Sequence, residues 1–182
     1  MTPILKKIVS LSGEALNAED QYLLDAIGNN QAYDVDRSGL LYINNERYYQ
    51  FVVAKHLFKT LNRKVEIEKD LIDLVVLSNE CTPKYYVAVE MKRWMSSTGN
   101  PEIPGIRNDF DKLKGSNSEH GLMLIFSSNP IESSLGENIR ILSERIDRDV
   151  DPNGWFIESF ETVGINGIKN VFWVAGYEVP KY

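Results

Sequence analysis

The sequence predicts an α/β domain: a central mixed sheet flanked by helices, with extra strands toward the C-terminus. Three observations carry that expectation. Apolar residues recur at helical spacing over 45–61 and again over 104–114. Two apolar, β-branched runs, LIDLVVL (71–77) and YYVAVEMKR (85–93), are joined by the polar SNECTPK, the pattern of an antiparallel hairpin. GLMLIFSS (121–128) is a continuous apolar run, as expected of a central strand covered on both faces.

Taken in order, the first 37 residues are the hardest to read. EDQYLLDAIGNN predicts a short helix over 19–30, with Tyr22, Leu23, Ala26 and Ile27 on one side and a stop at Gly28-Asn29-Asn30. DVDRSG (34–39) lacks the later ligands and closing Glu of a calcium loop and reads as a turn. The helix over 45–61 has Asn44 or Asn45 as N-cap and Glu46 in its first turn. Phe51, Ala54, Phe58 and Leu61, with Tyr48 and Val52, are its expected buried face. KVEIE alternates as a strand with Val65 and Ile67 on one side, and Lys69-Asp70 turns the chain into the hairpin.

After the hairpin, residues 95–104 are rich in turn formers and read as a flexible flap, with Pro104 opening the next helix. Ile106, Phe110 and Leu113 form that helix's apolar stripe, which leaves Arg107, Asp109, Lys112 and Lys114 on its other faces. Ser134 and Glu137 resemble a capping box for a helix to about 146, with Ile139, Leu142 and Ile146 inward and Arg140, Arg145 and Arg148 outward. WFIESFETVG and VFWVAGYEV read as a second hairpin over 155–179. With no repeat, low-complexity segment or linker, the 182 residues are expected to form one domain.

Composition narrows the function classes. Apolar and charged fractions of 43% and 25% are ordinary for a soluble protein, and no stretch reads as a membrane span or signal peptide. A single cysteine, Cys81 in the hairpin loop, fits a reducing cytoplasm and is expected to be incidental. A net charge of −6 argues against indiscriminate nucleic-acid binding through a basic surface, while leaving room for a local basic groove.

Charged residues stand where buried strands should be apolar. Asp73 interrupts the first hairpin strand; Glu90 and Lys92, two apart, share one face of the second. Two carboxylates and an ammonium on a hydrophobic hairpin are costly to desolvate unless they pair or bind a metal. Asp70 rivals Asp73 but falls in the turn. Glu46 and Gln50, four apart, lie on one side of their helix, which taken alone reads as a solvated edge. His56 has no second histidine at a ligand spacing and is not expected to bind metal. Trp94 is expected to pack rather than stack on a base.

This arrangement of helix, three strands, helix and strand over roughly 44–128, with Asp73 followed on the next strand by Glu90-Met91-Lys92, resembles the PD-(D/E)XK, or restriction-endonuclease-like, nucleases. The resemblance implies an αβββαβ core, with the helix and hairpin over about 134–179 as an extension. It implies a Mg²⁺- or Mn²⁺-dependent endonuclease hydrolysing DNA phosphodiesters, in restriction, repair or defence. Asp73 and Glu90, with the Met91 carbonyl, would hold the metal, and Glu46 would bind a second ion or a metal-bound water. Lys92 would orient or deprotonate the attacking water. Gln50, Arg93, Arg107 and Lys112 would meet the nucleic acid. A homodimer or partner subunit would supply specificity, because no separate recognition domain is evident.

Two alternatives remain open on the residues alone. One is a non-catalytic assembly or partner-binding module on the same fold, favoured by the acidic charge and by C-terminal strands able to offer a pairing edge. The other is a plain α/β domain in which Asp73 or Glu90 merely pairs with a lysine.

Overall fold

The architecture follows from three strands that must hide both faces. In a computed structural model, which describes residues 1–28, 39–79, 82–94, 101–131, 133–147, 149–164 and 167–181, a six-stranded mixed sheet lies between two layers of helices. The elements are α1 (Pro3–Gly28), α2 (Leu40–Ile43), α3 (Glu46–Thr60), β1 (Val65–Lys69), β2 (Ile72–Leu77), β3 (Tyr85–Arg93), α4 (Ile103–Gly115), β4 (Ser118–Pro130), α5 (Leu135–Ile146), β5 (Trp155–Val163) and β6 (Lys169–Val179). The strand order is β1-β2-β3-β4-β6-β5. Only β3 and β4 run parallel, with α4 as their crossover; every other neighbouring pair is antiparallel.

Period-two alternation sorts the strand side chains between the two layers. Leu74, Val76, Val87, Val89, Leu122 and Leu124 pack under α1 and α3. Val75, Ala88, Met123, Ile125, Trp173 and Ala175 pack under α4 and α5. Residues 122–126 of β4 are fully buried, as the unbroken apolar run requires of a strand covered on both sides. Ser134 caps α5, its side chain accepting from the Glu137 amide, and Ile139, Leu142 and Ile146 are buried beneath it. Pro104 sits in the first turn of α4, and Ile106, Phe110 and Leu113 are its buried stripe. The C-terminal hairpin extends the sheet beyond β4 through β6.

Three expectations are corrected. The N-terminal helix is not a short segment over 19–30 but 26 residues long, starting at Pro3. Its inner face runs through Leu5, Ile8, Val9, Ser12, Leu16, Asp20 and Leu23 at helical spacing, and the polar Ser12 and Asp20 disguise the stripe. Ser12 is satisfied by donating to the Ile8 carbonyl at 2.7 Å. The helix lies so near the sheet that a Cβ at Gly176 would stand 2.3 Å from Val9.

In α3, Asn45 is the N-cap, accepting from the Tyr48 amide, but the expected buried face is rotated. Tyr49, Val52, Val53, Ala54 and Leu57 are buried, whereas Phe51 and Phe58 are 61% and 49% exposed. Tyr49 drives this choice: its ring meets Phe126 and Phe172 edge-on at 5.9 and 5.5 Å, and its hydroxyl donates to the Leu40 carbonyl. In β1 Val65 is buried but Ile67 is half exposed, because this edge strand runs out past the core. Cys81, the DVDRS residues, most of the 95–104 flap and Arg148 lie outside the described residues.

Candidate functional site

The site is assembled where β2 and β3 meet the starts of α3 and α4. The β2–β3 register pairs Leu74 with Val89, and carrying it one step on sets Asp73 opposite Glu90. Glu90 shares its strand face with Ala88, which packs in the α4 layer, so its carboxyl is driven under that helix and is 1% exposed. Asp73 Oδ2 accepts from the Met91 amide at 2.8 Å and from Gln50 Nε2 at 3.2 Å. Gln50 also donates to the Met91 carbonyl at 3.1 Å, so one amide bridges the helix and both strands.

Glu46, one turn before Gln50, reaches the same strand. Its Oε2 accepts from the Arg93 amide at 2.8 Å, and its Oε1 lies 3.5 Å from Lys92 Nζ. The edge reading of the Glu46–Gln50 pair therefore gives way to a shared inward role. Lys92 is also 3.5 Å from Asp109 on α4. The start of α4 passes so closely that a Cβ on Gly105 would stand 3.2 Å from Lys92 Cε.

Asp109 and Lys112 complete the cluster from above. Lys112 Nζ is 2.8 Å from Glu90 Oε1, 3.0 Å from Asp109 Oδ1 and 3.2 Å from the Leu71 carbonyl oxygen. Its ammonium is thus the close charged partner of the buried Glu90 Oε1. The expected phosphate-contacting role of Lys112 meets a group already engaged by carboxylates.

Electrostatics follow the geometry. Burial pushes the Glu90 carboxyl up to about 8, with Lys112 only partly opposing it and the Asp73 and Asp109 charges adding to it. Burial likewise raises Asp73, against the Met91 amide bond that lowers it. Burial works against the Lys92 ammonium, yet the Glu46, Asp109 and Asp73 carboxylates outweigh it and hold its pKa above the ordinary lysine value. Lys92 is thus held as a protonated donor by these carboxylates; the lowering that a base needs would come from a neighbouring cation.

The other expected nucleic-acid contacts are also engaged. Arg93 Nη1 donates to the carbonyl and side-chain oxygens of Asn44, each at 2.6 Å. Arg107 Nε donates to the Ile146 carbonyl at 2.8 Å and its Nη2 to the Arg145 carbonyl at 2.6 Å, closing the end of α5. Arg107 is thereby turned to the neighbouring helix. Trp94 is buried with its ring 6.1 Å from Trp173, as expected of a packing residue.

Sequence reasoning missed Asp109, which it placed on an outer face of α4. The available signal was its position three after Ile106 and directly before Phe110, inside the buried stripe, with Lys112 three residues on.

The residue types suit a hard divalent cation, since the donors of Asp73, Glu90 and the Met91 carbonyl are all oxygens. Among the described residues no group of three or more His, Cys, Asp or Glu side chains is gathered as a metal cluster. A set of two carboxylates and a carbonyl would leave water or phosphate to complete the shell.

Fold and site together define an α/β protein, a six-stranded mixed sheet between helical layers, with a buried carboxylate–lysine cluster at one end of β2 and β3. No family model matches the chain, and no curated protein or solved structure is significantly similar to it. Among the described residues no helix is long and apolar enough to cross a membrane.

Proposed function

We propose that the chain is a Mg²⁺- or Mn²⁺-dependent endonuclease of the PD-(D/E)XK type, hydrolysing phosphodiester bonds of DNA. One observation carries the reading: Asp73, Glu90 and Lys92, with Glu46 and Gln50 from α3, meet at one end of the same two strands. The order α3-β1-β2-β3-α4-β4, with an antiparallel β1-β2-β3 meander and β4 parallel to β3, supports an αβββαβ core.

Asp73, Glu90 and the Met91 carbonyl would hold the cation. When bound, it supplies Lewis-acid polarisation of the phosphate and an acidified water. Gln50 orients Asp73 and the Met91 carbonyl by donating to both. Lys92, held protonated, donates to the attacking water or to a phosphate oxygen and offsets charge building on it. Glu46 and Asp109 fix the direction of its ammonium from opposite sides.

Isothermal titration of Mn²⁺ into the wild type and the Asp73→Ala/Glu90→Ala double variant tests this first. Binding by the wild type alone, with plasmid nicking that Lys92→Ala abolishes while retaining Mn²⁺ binding, is the expected outcome. Nicking unaffected by Lys92→Ala removes its role, and absence of binding in both proteins removes the metal site. A second reading, a non-catalytic module on this fold, is favoured by Lys112, whose ammonium already contacts both Glu90 and Asp109.

A further inference from the structure

The outer side of the α1–α3 pair presents features that the carboxylate site does not use. Tyr48 Oη on α3 donates to Glu19 on α1, while His56, eight residues further on, lies 3.9 Å from Glu14, five residues earlier on α1. The two helices are therefore antiparallel, with a groove of about 370 Å³ between them. Tyr22, Phe51 and Phe58 are 66%, 61% and 49% exposed along this face. Three large aromatic rings, one on α1 and two on α3, exceed the scattered apolar residues that need no explanation. On α3, Phe51, Lys55, Phe58 and Lys59 are all exposed, spaced four and three apart and then adjacent, so they form one outward stripe.

Charge distinguishes the two walls of the groove. The α3 wall carries Lys55 and Lys59, and the facing α1 wall carries Glu14 and Glu19. A nucleic acid would meet the acidic wall unfavourably, and an acidic peptide likewise. A second copy meets neither objection. A twofold axis running along the groove sets α1 of one copy over α3 of the other, acid over base on both sides, with the aromatic rings between them. Isologous pairing requires that self-complementarity.

Size sets the strength of such a pairing. At about 1.5 Å per residue α1 is roughly 39 Å long, and two helices side by side are about 20 Å wide. Only the stretch beside the 15-residue α3, roughly 22 Å, is two helices wide, so covering it removes on the order of 450 Å² from each copy, the size of a weak, concentration-dependent association.

We infer that this chain forms a homodimer through α1 and α3, as a symmetric four-helix layer with Phe51, Phe58 and Tyr22 along its seam and Lys55 facing Glu14 of the second copy. The inference stands independently of the catalytic reading. Sedimentation velocity on the full chain from about 1 to 100 µM is the test. The expected mass is twice the 20.8 kDa of the chain at the upper concentrations. Phe51→Asp weakens association at least tenfold, with the helical circular dichroism and melting temperature preserved because Phe51 lies outside the core. Lys55→Glu and Glu14→Lys each weaken it, and the double variant restores it. A wild type that stays monomeric at 100 µM overturns the inference, whatever else binds the face. So does a dimer indifferent to Phe51→Asp and Lys55→Glu.

Discussion

Replacing Glu90 by Gln should make the protein more stable near neutral pH. Glu90 is 1% exposed, and burial holds its pKa at about 8 against an ordinary 4.5. A carboxyl raised in this way stabilises the fold fully only below its unfolded pKa. The contribution is lost as pH climbs from about 4.5 toward 8, because the unfolded chain ionises first. At pH 7 the unfolded state gains about 3 kcal/mol from that ionisation, at about 1.4 kcal/mol for each pH unit above 4.5. Gln cannot ionise in either state, so the penalty disappears. The Gln amide also replaces the carboxyl oxygen that Lys112 meets at 2.8 Å, leaving a net gain of roughly 1–3 kcal/mol at pH 7. For a chain of this length that is about 2–10 °C in melting temperature. Thermal unfolding of both proteins in chelator at pH 4.5, 7 and 8 measures it, with the difference near zero at pH 4.5 and growing with pH. A variant less stable than wild type at pH 7, by as much as at pH 4.5, would falsify the buried-acid account and make Glu90 an ionised partner of Lys112.

Two backbone positions give further tests. Gly39→Ala should cost about 2–3 kcal/mol, because its Cβ would lie 1.9 Å from Asp20 Oδ1, a buried oxygen held by the Leu40 amide and the Thr162 hydroxyl. Urea denaturation beside Gly136→Ala, whose Cβ would meet only Ser134 Oγ at 3.9 Å, should show the loss in Gly39→Ala alone. Leu71→Asn should stabilise by about 0.5–1 kcal/mol, since Asp70 and Leu71 form a two-residue turn at φ 53° and 66°, which suits Asn and strains Leu. Leu71 is 85% exposed, so little packing is lost; a lower denaturation midpoint would show that its side chain has an unseen partner.

The strands were legible because each carries its own pattern. Alternation between two buried faces marks β2 and β3, and an unbroken run marks β4. Helical faces were less so, because the choice among apolar stripes is made by the partner. On α3 both Phe51/Phe58 and Tyr49/Val53/Leu57 are apolar series, and only the Phe126–Phe172 surface selects the second. In α1 the stripe passes through Ser12 and Asp20, polar residues whose bonding partners decide whether burial is tolerable. Thr162, which bonds Asp20, is 142 residues away and invisible to any local window. The carboxylate cluster was legible through the interruption of apolar strands by Asp73 and Glu90. Asp109 was not, because a charge on a helix with ample exposed surface ordinarily points to water.

The charges of the site constrain what it can do. Among the described residues, Glu46, Asp73, Glu90 and Asp109 are set against Lys92 and Lys112, with contacts of 2.8–3.5 Å among them. Fully ionised, the cluster has two more negative than positive charges around the buried Glu90 and Asp109, where such an excess is costly. A proton on Glu90 relieves half of it, which is the state its raised pKa describes. A divalent cation would relieve all of it and, by taking the same carboxylate, would release that proton. Lys112 Nζ is 2.8 Å from Glu90 Oε1, so an ion taking that oxygen competes with the ammonium for it. The catalytic and the non-catalytic readings therefore differ in one physical respect: whether a divalent ion outcompetes a proton and an ammonium for Glu90.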